Sequence, residues 1–218
     1  MTASRQYIID ELSTSESWRL FKIMAEIVDG FDTMSRVVRG VSIFGSARTK
    51  PDDPLYVETT ELAAGLTKAG YTVITGGGPG VMEAANKGAK EAGGESVGLH
   101  IHLPLEQGAN PYVTTRVDFN YFFVRKLMFV KYAQAYVAMP GGFGTMDELF
   151  EALVLIQTRR IKPFPVILYN SDYWGGLLDW IKGRLTAEGF AHAEDLDLIT
   201  QLDTPDEVVR FIKKHVIA

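Results

Sequence analysis

A glutamate follows a glycine-rich turn in this sequence, and the two together indicate a catalytic site. Residues 140–145 read Pro-Gly-Gly-Phe-Gly-Thr, and Glu148 comes three positions later. The apolar residues 135–139 predict a buried strand before the turn, and the spacing of Leu149 and Leu153 predicts a helix after it. A glycine turn lets a ligand approach the backbone, and a helix N-terminus favours an anion. A carboxylate beside an anion repels it, so Glu148 indicates catalysis; an acid that only complements the helix dipole is the simpler alternative.

A second glycine-rich turn and a pair of basic residues also have features of an anion-binding site. Residues 76–80 read Gly-Gly-Gly-Pro-Gly between a predicted strand and a predicted helix, whose first turn contains Met82 and Glu83. Arg125 and Lys126 lie in the first turns of another predicted helix. Because the dipole disfavours a cation there, this placement requires either solvent or an anionic ligand. A solvated pair is the common case, but two glycine-rich turns favour phosphate binding.

The elements that position these residues alternate between strand-like and helix-like segments. A capping pattern, Thr204-Pro205-Asp206-Glu207, starts the last predicted helix. Ser13 and Glu16 form another capping pattern, after a loose tail at residues 1–12 and ahead of an amphipathic helix that continues to Met34. Short apolar runs predict strands at residues 41–44, 71–74, 96–99, 115–119, 135–139 and 164–169.

This alternation predicts an α/β fold, a single doubly wound Rossmann-like domain whose mostly parallel sheet is flanked by helices. No linker, repeat or low-complexity segment interrupts residues 1–218. We therefore expect one nucleotide-binding domain with a tail and helix over residues 1–38, a core over 39–170 and a C-terminal helical extension over 171–218. Strand carboxyl ends and helix N-termini meet at one edge of such a sheet. Four segments are expected there: residues 45–48, residues 76–82, the start of the helix at 121–134, and residues 140–148.

The known phosphate-binding motifs do not match these turns. The P-loop pattern is absent from the sequence. The dinucleotide fingerprint Gly-x-Gly-x-x-Gly fails as well, because its third glycine falls on Val81 or on Asp147. The strand after the first of these turns ends in Leu99-His100 rather than in a ribose-binding acid. NAD binding is therefore not expected.

Composition excludes several classes of function. A formal net charge of −5 argues against a nucleic-acid-binding protein, and zero cysteines exclude disulfides, thiolate metal sites and cysteine nucleophiles. No apolar run approaches the ~18–20 residues of a membrane span. Residues 1–6 lead into no apolar signal segment, so a cytoplasmic protein without membrane association is expected.

Two other groups of residues have less specific patterns. His100 and His102 alternate, so their imidazoles could lie on one side of a strand end, but two histidines alone are a weak metal signal and loop-edge histidines are the preferred interpretation. Aromatic residues at 121–123 and around Trp174 are expected in the core or at an interface, although one of them could face a nucleobase. No metal is predicted.

Taken together, the sequences at residues 76–82, 125–126 and 140–148 resemble the Lonely guy (LOG) family, cytokinin riboside 5′-monophosphate phosphoribohydrolases whose relatives often carry the older label "lysine decarboxylase". The resemblance extends over residues 41–169, and the helix before it and the tail after it look like the longer bacterial members. It implies Glu148 and Arg125 as catalytic residues, no cofactor, and at least a homodimer with the helix at 121–134 near the interface. The residues expected to bind the substrate are Ser46, Gly77, Gly78, Gly80, Met82, Glu83, Lys126, Gly141, Gly142, Gly144 and Thr145.

The activity implied by the resemblance is hydrolysis of the N-glycosidic bond of a nucleoside 5′-monophosphate to free base and ribose 5-phosphate. Bond cleavage builds positive charge on the ribose, which an ionised Glu148 would stabilise while it orients the attacking water. Arg125 cannot donate a proton at neutral pH and would orient Glu148 and contact the phosphate or the base. Glu83 either contacts ribose or base or is a solvated helix residue.

Two alternatives remain at this point. Related folds carry nucleotides or molybdenum cofactor without hydrolysing them. A lysine decarboxylase would require a lysine that forms a Schiff base with pyridoxal phosphate, and Lys126 lies on the expected edge. The preferred nucleobase, whether a cytokinin, adenine or a pyrimidine, is not determined by these residues.

Overall fold

The computed structural model describes residues 16–102 and 108–216, and within these ranges seven strands form one sheet. The tail at residues 1–12 and the capping residue Ser13 lie outside the described residues. Every strand pairing is parallel, in the order β4-β3-β2-β1-β5-β6-β7. The strands are β1 Gly40–Phe44, β2 Thr72–Thr75, β3 Ser96–Ile101, β4 Thr115–Phe119, β5 Ala133–Ala138, β6 Val166–Tyr169 and β7 Ile199–Leu202.

Helices connect these strands and cover both faces of the sheet. Core contacts place α2, α3 and α7 on one face and α1, α4, α5 and α6 on the other. A π-helical turn, Ile181–Thr186, continues α6, and a 3-10 helix, Ala193–Leu198, precedes β7. The helices are α1 Glu16–Met34, α2 Pro54–Lys68, α3 Val81–Glu91, α4 Phe122–Tyr132, α5 Phe143–Gln157, α6 Ser171–Trp180 and α7 Pro205–His215.

The central strands are apolar because helices bury both of their faces. All residues of β1, β2 and β3 are buried, as is usual for parallel strands that are covered on two sides. The strand order reverses between β1 and β5, and such a switch point opens a crevice at the carboxyl ends of the strands. The predicted doubly wound fold is confirmed, and the sheet is parallel throughout the described chain.

The C-terminal region differs from the predicted helical extension because it contributes β7. The apolar pattern of this strand is weak because Thr200 and Gln201 are adjacent polar residues between Ile199 and Leu202. The strand also lies at the sheet edge, where it is only partly buried. An edge strand needs less apolar character than a central one, which is why the sequence pattern missed it.

The amphipathic helix α1 covers the face formed by β3, β4 and α4. Ile23 and Phe31 pack against the core, whereas Trp18 and Phe21 on the other side of the helix are exposed. Glu26 accepts hydrogen bonds from the backbone amides of residues 120 and 121, so it caps the start of α4. No helix in the described ranges combines the length and apolar character needed to cross a membrane.

Candidate active site

A cavity of about 640 Å³ lies at the switch point between β1 and β5. Its walls come from the turns after β1, β2 and β5 and from the N-terminal parts of α3, α4 and α5. This size is within the usual range for small-molecule sites. The lining residues are Phe44, Gly45, Ser46, Ala47, Arg48, Gly76, Gly78, Met82, Ile101, Phe122, Arg125, Phe129, Gly141, Gly142, Phe143, Gly144, Thr145, Met146, Glu148 and Tyr173.

Ser46 joins the three turns that surround the cavity. Its amide donates to the carbonyl of Pro140, and its carbonyl accepts from the amide of Val81, both at 3.0 Å. Gly80 has a φ of +68°, and a Cβ at this position would collide with the Ser46 carbonyl. A Cβ on Gly141 would likewise collide with the backbone carbonyl carbon of Gly45, in the turn after β1, and with the Thr145 hydroxyl. Both glycines are therefore required where the turns pack against one another.

The helix N-termini at the cavity are available to an anion. Gly80 precedes α3 and Gly142 precedes α5, and in the described structure no side chain caps either helix. By contrast, Asp53, Asn170 and Thr204 cap α2, α6 and α7. The first amides of a helix lack intrahelical acceptors, so uncapped N-termini at the cavity favour a negatively charged ligand.

Glu148 is a buried carboxylate in the wall of this cavity. It is 4% exposed, and no hydrogen bond reaches its Oε2 from the described residues. Burial raises the pKa of Glu148 to about 7, although the positive charges of Lys126 and Arg125 oppose the shift. The carboxyl thus changes between its neutral and charged forms near neutral pH, a property suited to a group that handles protons.

Lys126, in the neighbouring helix α4, forms ion pairs with the acidic residues of α5. Its Nζ lies 2.9 Å from Asp147 Oδ2, 2.8 Å from Glu151 Oε2 and 3.6 Å from Glu148 Oε1. Burial lowers the pKa of Lys126, but the hydrogen bonds to Glu151 and Asp147 outweigh it and leave the pKa raised. Lys126 is therefore a firmly charged partner of these carboxylates, and it does not line the cavity.

Arg125 lies in the cavity wall between aromatic side chains. Its guanidinium carbon is 5.3 Å from the ring centre of Phe122 and 5.7 Å from that of Phe129. Stacking of this kind orients the planar guanidinium. The arrangement gives the cavity a cation near Glu148.

Nine of the thirteen residues expected at the site line the cavity, and four do not. Gly77 lies behind the turn, where its carbonyl accepts from the amide of Asn110. Glu83 accepts a hydrogen bond from Tyr56 at 3.1 Å. Gly80 and Lys126 support the turns and the carboxylates, as described above. The nine are Ser46, Gly78, Met82, Arg125, Gly141, Gly142, Gly144, Thr145 and Glu148.

Other residues of the site were missed by the sequence interpretation. The Tyr173 hydroxyl donates to the Gly141 carbonyl at 2.7 Å, so α6 contributes to the wall, whereas Trp174 is core as expected. Phe143 is 91% exposed at the cavity mouth. Tyr136 is buried beneath the site, and burial together with the charges of Glu148 and Glu151 raises its pKa well above the usual value. The aromatic type of Tyr173 was a usable signal, but only packing of α6 on β5 directs it to the cavity.

Comparisons with known proteins agree with this architecture. A family model described as "Possible lysine decarboxylase" matches residues 82–212. A rice protein named "Probable cytokinin riboside 5′-monophosphate phosphoribohydrolase LOGL5" is 28% identical over 182 residues, 82% of this chain and 73% of the rice protein. The "Cytokinin riboside 5′-monophosphate phosphoribohydrolase" of Mycobacterium tuberculosis is 29% identical over 168 residues, 72% of this chain and 87% of that protein.

A solved structure is similar as well. The molybdenum cofactor binding protein of Rippkaea orientalis superposes with a TM-score of 0.58 and 26% identity, over 82% of this chain and 96% of that one. The family model covers more than half of the described chain and includes α3, Arg125 and the turn before α5. The chain therefore belongs to the Lonely guy (LOG) family, whose family model carries the older decarboxylase description.

Proposed function

We propose that this protein hydrolyses the N-glycosidic bond of a nucleoside 5′-monophosphate and releases the free base and ribose 5-phosphate. The observation that carries the proposal is the buried carboxylate of Glu148 in a cavity that is also lined by residues at two uncapped helix N-termini. An anionic group and a developing cation can be bound side by side in such a cavity. The names of the two relatives above support the same reaction class.

In the proposed mechanism the phosphate binds at the starts of α3 and α5. The amides of the first turns and the Thr145 hydroxyl, which is in the cavity wall, donate hydrogen bonds to it. The ribose then lies over Glu148. Because the phosphate anchors the substrate, the carboxylate faces the sugar rather than the anion, which explains an acid beside an anion site.

Cleavage of the bond between C1′ and the base nitrogen leaves the bonding electrons on the base and positive charge on the ribose. Ionised Glu148 stabilises that charge and accepts a proton from the attacking water, whose oxygen bonds to C1′. The departing base takes up a proton from solvent water and leaves in neutral form, and Glu148 releases to solvent the proton that it accepted. Arg125 orients Glu148 and contacts the phosphate or the base.

A panel of substrates tests the proposal. AMP, isopentenyladenosine monophosphate and CMP are incubated with the protein, and free base is measured by chromatography. We expect base release from at least one monophosphate and far slower release from the matching nucleoside, because the nucleoside lacks the group that the helix N-termini bind. Equal turnover of AMP and adenosine would contradict the phosphate assignment.

The second candidate is a binding protein without hydrolase activity, favoured by the likeness to the Rippkaea orientalis protein. Nucleotide binding measured by calorimetry without any base release would support this alternative. The presence of both Glu148 and Arg125 in the cavity favours the enzyme.

Decarboxylation of lysine is disfavoured by the state of Lys126. A Schiff-base lysine needs a neutral amine with a lowered pKa, whereas ion pairs raise the pKa of Lys126 and hold its amine outside the cavity. An absorbance scan of the purified protein for bound pyridoxal phosphate checks this point.

We further propose that the protein is a homodimer or a higher homo-oligomer. Many large apolar side chains of α1, α4 and α5 are exposed, and clusters of such side chains are typical of protein–protein interfaces. A second copy of the chain is the proposed occupant because the surface borders the cavity through Phe143 and Phe122. The surface residues are Trp18, Phe21, Met24, Val28, Phe122, Phe123, Leu127, Phe143, Phe150 and Val154.

A further inference from the structure

Two histidines and an aspartate meet at the carboxyl ends of the neighbouring strands β3 and β4. His100 and Asp118 are paired in the parallel register, and His102 follows two positions after His100. One ligand atom from each of the three residues lies within 4.8 Å of those of the other two. Within residues 16–102 and 108–216, no other three histidines or acids are grouped in this way. We propose that His100, His102 and Asp118 form a transition-metal site, with Zn²⁺ as the best-matched ion.

The distances are close to those of a metal site. A tetrahedral zinc ion with bonds of ~2.0–2.1 Å holds its ligand atoms about 3.3 Å apart. His102 Nε2 lies 3.7 Å from Asp118 Oδ1. The side chains of His102 and Asp118 are 53% and 38% exposed, so they can rotate towards an ion, while buried His100 provides a fixed position. Three protein ligands would leave one position for water.

The ligand types select the class of ion. Two imidazoles with one carboxylate suit Zn²⁺ and similar first-row metals, whereas Mg²⁺ and Ca²⁺ prefer sites built from oxygen atoms. Chelation by two neighbouring strands would also tie β4, an edge strand, to β3. The chain contains four histidines and no cysteine, so few other groups compete for such an ion.

The guanidinium of Arg116 already provides a positive charge next to the Asp118 carboxylate. It lies two positions before Asp118 in β4, and its Nε and Nη2 donate to Asp118 Oδ1 at 2.9 and 2.6 Å. A bound metal would compete with this guanidinium for the carboxylate. Removal of Arg116 should therefore strengthen metal binding, whereas a purely structural ion pair predicts no effect on metals.

The proposed site is separate from the candidate active site. Side chains alternate along a strand, so His100 lies on the opposite face of β3 from Ile101, which lines the cavity. His102 follows the strand end, and its ring centre is 5.7 Å from that of His100. The proposal does not depend on the proposed hydrolase activity, and its test uses binding alone.

The experiment uses the full chain without an affinity tag, after treatment with a chelator. Zn²⁺ binding is measured by calorimetry, and Co²⁺ is added as a probe because its visible absorption reports ligand geometry. We expect one ion per chain and a higher Tm with Zn²⁺. His102→Ala and Asp118→Asn should weaken binding at least tenfold, as expected when a metal's supporting groups are lost. Arg116→Ala should tighten binding.

His215→Ala is the matched control because this exposed histidine ends α7 and lines a separate cavity with residues 161–165, apart from the three proposed ligands. It should bind metal like the unaltered chain. His102 and Asp118 are exposed, so their variants should keep the Tm of the metal-free protein. Binding that persists unchanged in both variants overturns the proposal, and so does the absence of a saturable one-to-one Co²⁺ spectrum.

Discussion

Ionised Glu148 destabilises the folded protein because its carboxyl is almost fully buried. A buried carboxyl favours its neutral form, and the pKa of about 7 expresses that preference. Lys126 and Arg125 limit the shift, since both carry positive charge nearby. The result is a carboxylate that is available near neutral pH but poorly solvated, which suits a group that stabilises a transient cation.

Glu148→Gln tests whether this charge drives the reaction. The variant keeps the size of the side chain and removes the charge, so base release should fall by roughly the 10²–10⁴-fold typical of a positioned acid or base. Monophosphate binding should persist or tighten because a negative charge near the phosphate is lost. Glu91→Gln, an exposed position at the end of α3, is the control. An unchanged rate in Glu148→Gln would refute the mechanism.

The pH dependence of rate and stability follows from the raised pKa of Glu148. In the proposed mechanism ionised Glu148 is the active form, so the rate should rise with pH and level off above about 7. The folded state retains this proton to a higher pH than the unfolded state, so stability should fall as pH rises from 4.5 to 7, by about 3 kcal/mol. Glu148→Gln should therefore melt above the unaltered chain at pH 8 and close to it at pH 4.5. A lower Tm of the variant at pH 8 would contradict this expectation.

Lys126→Met separates a positioning role from a substrate-binding role. Met keeps most of the apolar stem and removes the charge, so the pKa of Glu148 should rise further and the acidic limb of the pH–rate profile should move to higher pH. KM should change little because Lys126 does not line the cavity. Lys126→Arg should restore the profile in part. A large rise in KM with an unchanged profile would instead favour the original substrate-binding expectation.

At the scale of elements, the site depends on how the turns after β1, β2 and β5 pack together. Ser46 bonds to both of the other turns, and its carbonyl lies where a side chain on Gly80 would be. The turns consequently form one unit that holds the two helix N-termini in fixed positions. A shift of any one turn would move the amides that are proposed to bind phosphate.

Gly80→Ala should destabilise this unit of three turns by more than the backbone strain of a positive φ accounts for. Gly80 and Gly93 both have positive φ, +68° and +81°, but a Cβ on Gly93 would meet nothing within 4 Å. Gly93→Ala should therefore cost only about 1–2 kcal/mol of left-handed backbone strain and keep full activity. Gly80→Ala should cost more and should also weaken monophosphate binding. Equal losses of Tm in the two variants, with unchanged binding in both, would show that the turn contact is unimportant.

At the scale of the whole molecule, the exposed apolar side chains of α1, α4 and α5 are the proposed interface between copies of the chain. Light scattering at micromolar concentration should give at least a dimer. Met24→Glu together with Leu127→Glu places charges in this surface and should produce monomers, whereas Phe190→Glu, an exposed aromatic outside it, should not. A monomeric unaltered chain would refute the proposed assembly.

Local sequence determined much of this protein. The spacing of apolar residues and glycines around residues 135–149 predicted the strand, turn and helix that the structure has there. The alternation of apolar runs with helical periodicity is the pattern of a doubly wound sheet. Glu148 and Arg125 were candidates from local sequence, because a carboxylate next to an anion site and a cation at a helix N-terminus are both unfavourable; their catalytic roles were implied by the family resemblance. Such conflicts are visible without tertiary structure.

Tertiary structure alone decided the contacts between distant residues. Lys126 belongs to α4 and its carboxylate partners to α5, so only the packing of these helices shows that it holds Glu148 rather than lining the cavity. Asp118 reaches the two histidines only through the register of β3 with β4. Sequence periodicity shows which face of a helix or strand is buried. The residues that this face contacts depend on strand order and helix packing, and these are determined by interactions among distant parts of the chain.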